Sequence, residues 1–102
     1  MTSSTTIDGF ILTDEKDASR YTLMRDGKLV SVLDYRDDGS TIALTRAFTI
    51  PTFRGQGHAA RITAGAVADI ESRADRRIDP VCWYVAEWFE QNPGKQVLLR
   101  RR

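Results

Sequence analysis

A short glycine-containing segment, Arg54-Gly55-Gln56-Gly57-His58-Ala59-Ala60, holds residue types and spacing that could bind an anion. It follows the β-branched and aromatic run 41–50 and precedes small and apolar residues at helical spacing, so we expect it to join a strand to a helix. The first N–H groups of a helix lack partners and carry partial positive charge. Glycines let a ligand approach the backbone, and Arg54 adds a cation. The segment therefore predicts a seat for phosphate.

Two other phosphate motifs do not fit this segment. A P-loop requires Gly-Lys followed by Ser or Thr, and this pair occurs nowhere in the chain. Gly55, Gly57 and Ala60 match the dinucleotide fingerprint G-x-G-x-x-[G/A]. That motif belongs at the first turn of a parallel βαβ array, whereas antiparallel-looking strands precede it here and only 45 residues follow Gly57. A helix entry with ordinary turn glycines remains the plain alternative.

The segment Arg54 to Ala59 resembles the [Q/R]-x-x-G-x-[G/A] pyrophosphate loop of the GNAT superfamily of acyl-CoA N-acyltransferases, in its R-G-x-G-x-A form. A second segment, Asp79-Pro80-Val81-Cys82-Trp83-Tyr84-Val85, sharpens the likeness, and Trp88 and Asn92-Pro93 follow it. Together they are similar to the minimal GNAT-like acetyltransferases, which continue from the loop through one long helix to P-x-C-x-[Y/F]-V. The resemblance covers about residues 10 to 99.

The resemblance implies acetyl-CoA as co-substrate and N-acyl transfer to an amine that the sequence does not identify. It implies that backbone groups of residues 48–50 pair with the amides of the pantetheine arm, as an added strand would. The implied CoA-binding residues are Phe48, Thr49, Ile50, Arg54, Gly55, Gln56, Gly57, His58, Ala59 and Ala60. His58 could donate to a phosphate, or stay neutral and only line the entrance.

Two side chains are candidates for catalysis. Cys82 is expected at a helix N-terminus, where the dipole favours thiolate, and the resemblance places it near the thioester. Its plain alternative is a small buried hydrophobe. Tyr84 could donate a proton to the CoA sulfur, or serve as a core aromatic. Strand 41–50 contains no carboxylate, so a base must come from elsewhere or be unnecessary for a partly neutral amine.

The elements around these residues predict an α+β fold. Turn signals at Asp26-Gly27 and at 37–40 separate three strand-like runs, which predict an antiparallel meander. A helix is expected over about 59–74, and a short strand from residue 77. Asp79-Pro80 predicts the cap and first turn of a second helix. The predicted order is βββαβα, and the resemblance implies that this is a truncated GNAT fold with both helices on the sheet and splayed strands forming a CoA cleft.

Length and composition limit the remaining alternatives. The 102 residues predict one domain, 1–102, with 1–8 and 100–102 flexible. A net charge of +1 does not favour nucleic acid, and one cysteine with one histidine argues against a metal site. No apolar run is long enough for a membrane and the polar N-terminus is not a signal peptide, so we expect a cytoplasmic protein. A non-catalytic CoA-binding module and, less favoured, an RNA-binding domain remain as alternatives.

Overall fold

The computed structural model describes residues 2–100 as a six-stranded mixed sheet with two helices packed against it. The sheet order follows the chain, with β1 to β5 antiparallel and β6 parallel to β5. The strands are β1 Thr2–Ile7, β2 Phe10–Glu15, β3 Arg20–Arg25, β4 Lys28–Asp37, β5 Thr41–Thr49 and β6 Arg77–Asp79. The helices are α1 His58–Arg73 and α2 Trp83–Gln91. The predicted α+β class is confirmed.

The N-terminal segment, for which no strand was predicted, forms β1 over residues 2–7. This strand pairs along its whole length with β2. Between them Asp8 and Gly9 both have positive φ, 49° and 82°, which a two-residue hairpin turn of the primed type requires. The sheet therefore has two more strands before α1 than the predicted order βββαβα. At the other end Arg100 donates its N–H to the Ile78 carbonyl at 2.7 Å; Met1, Arg101 and Arg102 lie outside the described residues.

One apolar core joins the sheet to both helices. Alternate strand residues supply one side of it, and Leu23, Leu33 and Leu44 are fully buried. Helix α1 contributes the predicted stripe at spacings of three and four, including Ile62, Ala66 and Ile70. Helix α2 adds Val85 and Phe89 to the same cluster.

Gly65 marks the closest approach of α1 to the sheet. A Cβ at this position would lie 3.0 Å from Leu12 Cδ2 and 3.1 Å from Ile7 Cδ1. A glycine in a helix interior costs up to about 1 kcal/mol relative to alanine. The close contact with β1 and β2 explains why the position is small.

Strand β5 separates from β6 shortly after the two strands have paired. The parallel ladder covers only residues 41–43 of β5, and the last link is the Cys82 N–H on the Leu44 carbonyl at 2.9 Å. At this point β5 carries a bulge: Leu44 lies opposite Tyr35 and Arg46 opposite Asp34, so no residue of β4 lies opposite Thr45, whose hydroxyl donates to the Asp34 carbonyl at 3.2 Å. A bulge bends its strand and increases its twist. Residues 45–49 thus run on without a strand on that side, as the predicted splay requires.

The start of α2 also differs from the prediction. Asp79 belongs to β6, opposite Ala43, and is not the helix cap. Residue Cys82, with extended backbone, precedes the first helical turn instead. After α2 a 3₁₀ turn, Pro93–Leu98, brings Leu99 beside Ile78. The chain after α2 is therefore joined to the sheet by a single bridge.

A buried tyrosine–carboxylate pair tests the packing of β2 against β4. Asp14 is only 2% exposed and accepts a hydrogen bond from the Tyr35 hydroxyl at 2.6 Å. We expect Tyr35→Phe to lower the free energy of unfolding by about 1–3 kcal/mol, because it leaves a buried carboxylate without its donor. Urea unfolding measures this change. Tyr84→Phe is the matched control, since no protein partner of the Tyr84 hydroxyl is found within residues 2–100, and an equal loss in both variants would contradict the assignment.

Candidate active site

A cleft of about 370 Å³ connects the glycine-containing loop to the start of α2. It follows the open side of β5, where β6 has ended. Its lining consists of Ala47, Phe48, Thr49, Phe53, Arg54, Gly55, Gly57, His58, Ala59 and Tyr84. The cleft thus brings the phosphate-type loop and one of the two predicted catalytic side chains to the same cavity.

The loop presents a row of unused backbone donors. Gly55 and Gly57 have φ of 80° and 79°, the left-handed region, which lets the chain turn twice before α1 begins at His58. No side chain caps this end of the helix. Within residues 2–100, no protein acceptor bonds the N–H groups of residues 55–60. Unpaired amides at the positive end of a sixteen-residue helix are a favourable site for an anion.

Strand β5 offers a second set of backbone groups, but not all of those expected. The Phe48 carbonyl accepts from Ser31 Oγ at 2.9 Å, and the Ile50 N–H donates to the Val30 carbonyl at 2.9 Å. Both groups therefore face β4. Because successive residues of a strand turn their backbone groups to opposite sides, Ala47 and Thr49 face the cleft. Of the expected residues 48–50, Phe48 and Ile50 thus use these backbone groups towards β4. The groups turned away from β4 are the N–H and carbonyl of Ala47 and the N–H of Thr49, whose carbonyl accepts from Arg54 Nε.

Arg54 joins the loop to the end of β5. Its Nε donates to the Thr49 carbonyl at 3.1 Å, and its guanidinium carbon lies 5.3 Å from the centre of the Phe48 ring. Arg46 lies over the same ring at 5.0 Å. Arg54 is exposed and keeps its remaining N–H groups for another partner. The end of the cleft nearest the loop is therefore cationic.

His58 is buried beneath the loop and bonds both Gln56 in the loop and Arg61 on α1. It is 4% exposed and its ring packs edge-on against Phe10 at 5.2 Å. An Arg61 N–H donates to Nδ1 at 2.8 Å, and since a guanidinium can only donate, Nδ1 carries no proton. The proton is assigned to Nε2, which donates to Gln56 Oε1 at 3.3 Å. Burial, followed by the charges of Arg61 and Arg25, lowers the pKa of His58. Both ring nitrogens are thus engaged within the protein, and the ring is neutral at pH 7.

The two predicted catalytic side chains lie in different surroundings. Tyr84, in the first turn of α2, lines the cleft, and burial followed by the nearby Glu87 carboxylate raises the pKa of its phenol. Cys82 is partly buried and packs against the apolar core, and it is not among the residues that line the cleft. This geometry favours Tyr84 as the group that meets a ligand, and the small-hydrophobe alternative for Cys82.

Comparison with known families agrees with this geometry. The sequence profile described as GCN5-related N-acetyl-transferase matches residues 20–98, more than three quarters of the chain. The chain belongs to this family. No match to a curated protein is found. The mixed sheet with two packed helices is therefore a truncated form of the GNAT fold, and the family uses acetyl-CoA as co-substrate.

Against this GNAT framework, the cleft gathers most but not all of the predicted site residues. Ile50, Gln56, Ala60 and Cys82 lie outside its lining. Ala60 lines a neighbouring groove of about 580 Å³ that also contacts Gly57, Arg61 and Trp88. Ala47 and Phe53 are part of the cleft but were not predicted. Phe53 could have been found as the aromatic residue beside the loop, whereas the contribution of Ala47 depends on strand register.

Residues 2–100 contain no group of three or more His, Cys, Asp or Glu side chains arranged to hold a metal ion. No helix in the same range has the length and hydropathy required to cross a bilayer.

The buried histidine makes the stability of this acetyltransferase-family chain depend on pH. Because the folded pKa of His58 lies below the unfolded value of about 6.5, the unfolded chain binds the proton more readily. The contribution of the neutral His58 ring to the free energy of unfolding is therefore complete above pH 6.5, and it is lost as the pH falls through the folded pKa. We expect the free energy of unfolding to fall more between pH 7.5 and about 5.5 in the wild type than in His58→Gln. Equal pH dependence, measured by urea unfolding at both pH values, would contradict the neutral buried ring.

Proposed function

We propose that the chain transfers an acetyl group from acetyl-CoA to an amine. The observation that carries this proposal is the continuity of the cleft, which runs from the unpaired amides of residues 55–60 along the open side of β5 to Tyr84. Its parts match the chemistry of the ligand: donors for a diphosphate at one end, strand backbone for the amides of an extended arm, and a phenol where the arm would end.

Each group of residues along the cleft contacts a different part of the ligand. The amides of residues 55–60 and the Arg54 guanidinium bind the diphosphate oxygens. The backbone groups of Ala47 and Thr49 pair with the arm and fix its direction. Acetyl-CoA supplies an activated thioester. Tyr84 then gives its phenolic proton to the departing sulfur, a role that its raised pKa permits because the phenol is protonated at neutral pH.

The groove that contains Ala60 could hold the adenosine end of CoA. It shares Gly57 with the cleft and continues along α1 past Arg61 to Trp88. Arg61 uses one guanidinium nitrogen for His58 and stacks on Phe10 at 4.5 Å, which holds it at the edge of this groove. We assign the adenosine end of CoA to the groove, with the remaining donors of Arg61 near the 3′-phosphate.

A non-catalytic CoA-binding module is the second candidate. One observation favours it: no aspartate or glutamate is among the cleft residues found within residues 2–100. Such a module would bind CoA with the same affinity but release no thiol from acetyl-CoA, whichever amine is added. Free-thiol detection with a panel of amines separates the two functions.

Removal of the loop cation tests CoA binding. We expect Arg54→Ala to weaken CoA binding about 10- to 100-fold, the effect of losing one charge-assisted hydrogen bond of about 1.5–3 kcal/mol. Isothermal titration calorimetry measures the dissociation constant. Arg36→Ala is the control, because Arg36 is also exposed but lies opposite Ala43, at the other end of β5 from the loop. Unchanged affinity in Arg54→Ala would place the diphosphate elsewhere.

Removal of the phenolic proton tests the chemistry separately from binding. We expect Tyr84→Phe to lower kcat about 100-fold and to leave the CoA dissociation constant within about twofold, because general acid catalysis contributes about 100-fold or more to a rate. Cys82→Ala, which removes a side chain outside the cleft lining, should keep most of its kcat. The opposite pattern, with activity lost in Cys82→Ala and kept in Tyr84→Phe, would assign the reaction to the cysteine.

A further inference from the structure

The cleft has no group that could take a proton from an ammonium ion. Within residues 2–100 its lining includes no carboxylate, and its one histidine has both ring nitrogens bonded to Arg61 and Gln56. Tyr84 is a phenol rather than a phenolate at neutral pH, because the ordinary tyrosine pKa is about 10 and burial raises it further here. An amine that arrives protonated would therefore stay protonated, and a protonated amine has no lone pair with which to attack a thioester.

The charges around the cleft also disfavour a cationic acceptor. Phe48, which lines the cleft, lies beneath the guanidinium groups of both Arg46 and Arg54. Asp34 carries the neighbouring negative charge, but it binds Arg20 at 2.6 Å and lies 3.6 Å from Arg46. Glu87 is another nearby carboxylate: it faces solvent on α2, one turn from Tyr84, and its charge adds to the rise in the pKa of that phenol.

An aromatic surface continues from the cleft to the solvent. The Trp83 ring meets the Tyr84 ring edge to face, with 5.9 Å between their centres, and Tyr84 is the one that lines the cleft. Trp83 is 74% exposed and its neighbour Val81 is 53% exposed, both unusual for large apolar side chains. A flat apolar molecule could therefore lie on Trp83 with its reactive end directed along Tyr84.

We propose that the acceptor is a weakly basic aromatic amine, neutral near pH 7, which binds against Trp83 and Tyr84. The inference rests on the proposed transferase function and names its substrate class. At pH 7.4 a lysine-like amine with a pKa of about 10.4 is neutral in only about one molecule in a thousand. An aromatic amine is neutral in nearly every molecule, so the absence of a base does not limit the fraction that can attack the thioester. It also brings no positive charge towards Arg46 and Arg54.

The reaction balances without a further reactant. The nitrogen lone pair forms a bond to the thioester carbonyl carbon, and the carbon–sulfur bond breaks. Tyr84 gives its proton to the sulfur and takes back the proton that the nitrogen loses as the amide forms. The products are an N-acetylated aromatic amine and free CoA, and the phenol returns to its initial state.

The pH dependence of two isomeric acceptors tests the inference. p-Toluidine and benzylamine have the same formula, but at pH 7 the first is neutral and the second is an ammonium ion. With wild-type protein and acetyl-CoA, kcat/KM for p-toluidine should be constant from pH 6 to about 9. For benzylamine it should rise about tenfold per pH unit up to the pKa of the amine itself. Glu87→Gln should change neither profile.

Each contrary outcome has a distinct meaning. A benzylamine profile that levels off near pH 7 would reveal a base and overturn the inference while leaving the transferase function intact. If Glu87→Gln abolished that levelling, Glu87 would be the base. No thiol release with p-toluidine, in protein that releases thiol with another amine of the panel, would overturn the acceptor class alone. No release with any amine of the panel, in protein that binds CoA, would overturn the transferase function as well.

Two surface variants test the aromatic contact. Trp83→Ala should raise KM for p-toluidine about 3- to 10-fold, the effect of losing one aromatic pair, with the CoA dissociation constant unchanged. Val97→Ala, which truncates another highly exposed apolar residue on the 3₁₀ turn Pro93–Leu98 after α2, should leave KM unchanged. An unchanged KM in Trp83→Ala would remove Trp83 from the acceptor site.

Discussion

The separation of β5 from β6 is the constraint on which the rest of the structure depends. Parallel pairing covers only the first residues of β5, and the Cys82 N–H on the Leu44 carbonyl is the final link. The bulge at Thr45 then bends β5 while the chain after β6 turns into α2. A strand with one side unpaired would be unfavourable in an apolar core, but here that side borders a cleft. The same separation sets Tyr84 opposite the loop before α1.

The cleft supplies hydrogen-bond donors and positive charge, and little that accepts a proton. Its loop offers amides and Arg54, its strand offers alternate backbone groups, and its far end offers a phenol. His58, which the sequence offered as a donor to a phosphate or as a residue lining the entrance, bonds Gln56 and Arg61 through its two ring nitrogens. Such a site suits an anionic ligand that brings its own activated bond. Because the cleft lining within residues 2–100 includes no free base, the acceptor amine must already be neutral when it binds.

The local parts of this fold could be predicted from sequence, and the parts that depend on register could not. The loop and α1 follow from glycines beside a periodic apolar stripe, and the meander follows from the turn at Asp26-Gly27. The Ser/Thr-rich composition of residues 2–7 does not indicate strand β1, and the local signal for it is the Asp8-Gly9 turn that pairs it with β2. The position of Cys82 outside the cleft depends on where α2 begins, and the exposure of the Ala47 backbone depends on pairing with β4. The local sequence predicts neither the position of Cys82 nor the exposure of the Ala47 backbone.

The central claim is that the amides of residues 55–60 bind the diphosphate while the open side of β5 binds the arm attached to it. The most direct measurement is a ¹H–¹⁵N NMR titration of the folded chain, with CoA in one series and pantetheine, which lacks the diphosphate and adenosine, in the other. The account predicts that CoA shifts the amides of residues 55–60 and those of Ala47 and Thr49, and that pantetheine shifts only the two strand amides. Shifts confined to other surfaces, or the same pattern with both ligands, would contradict it.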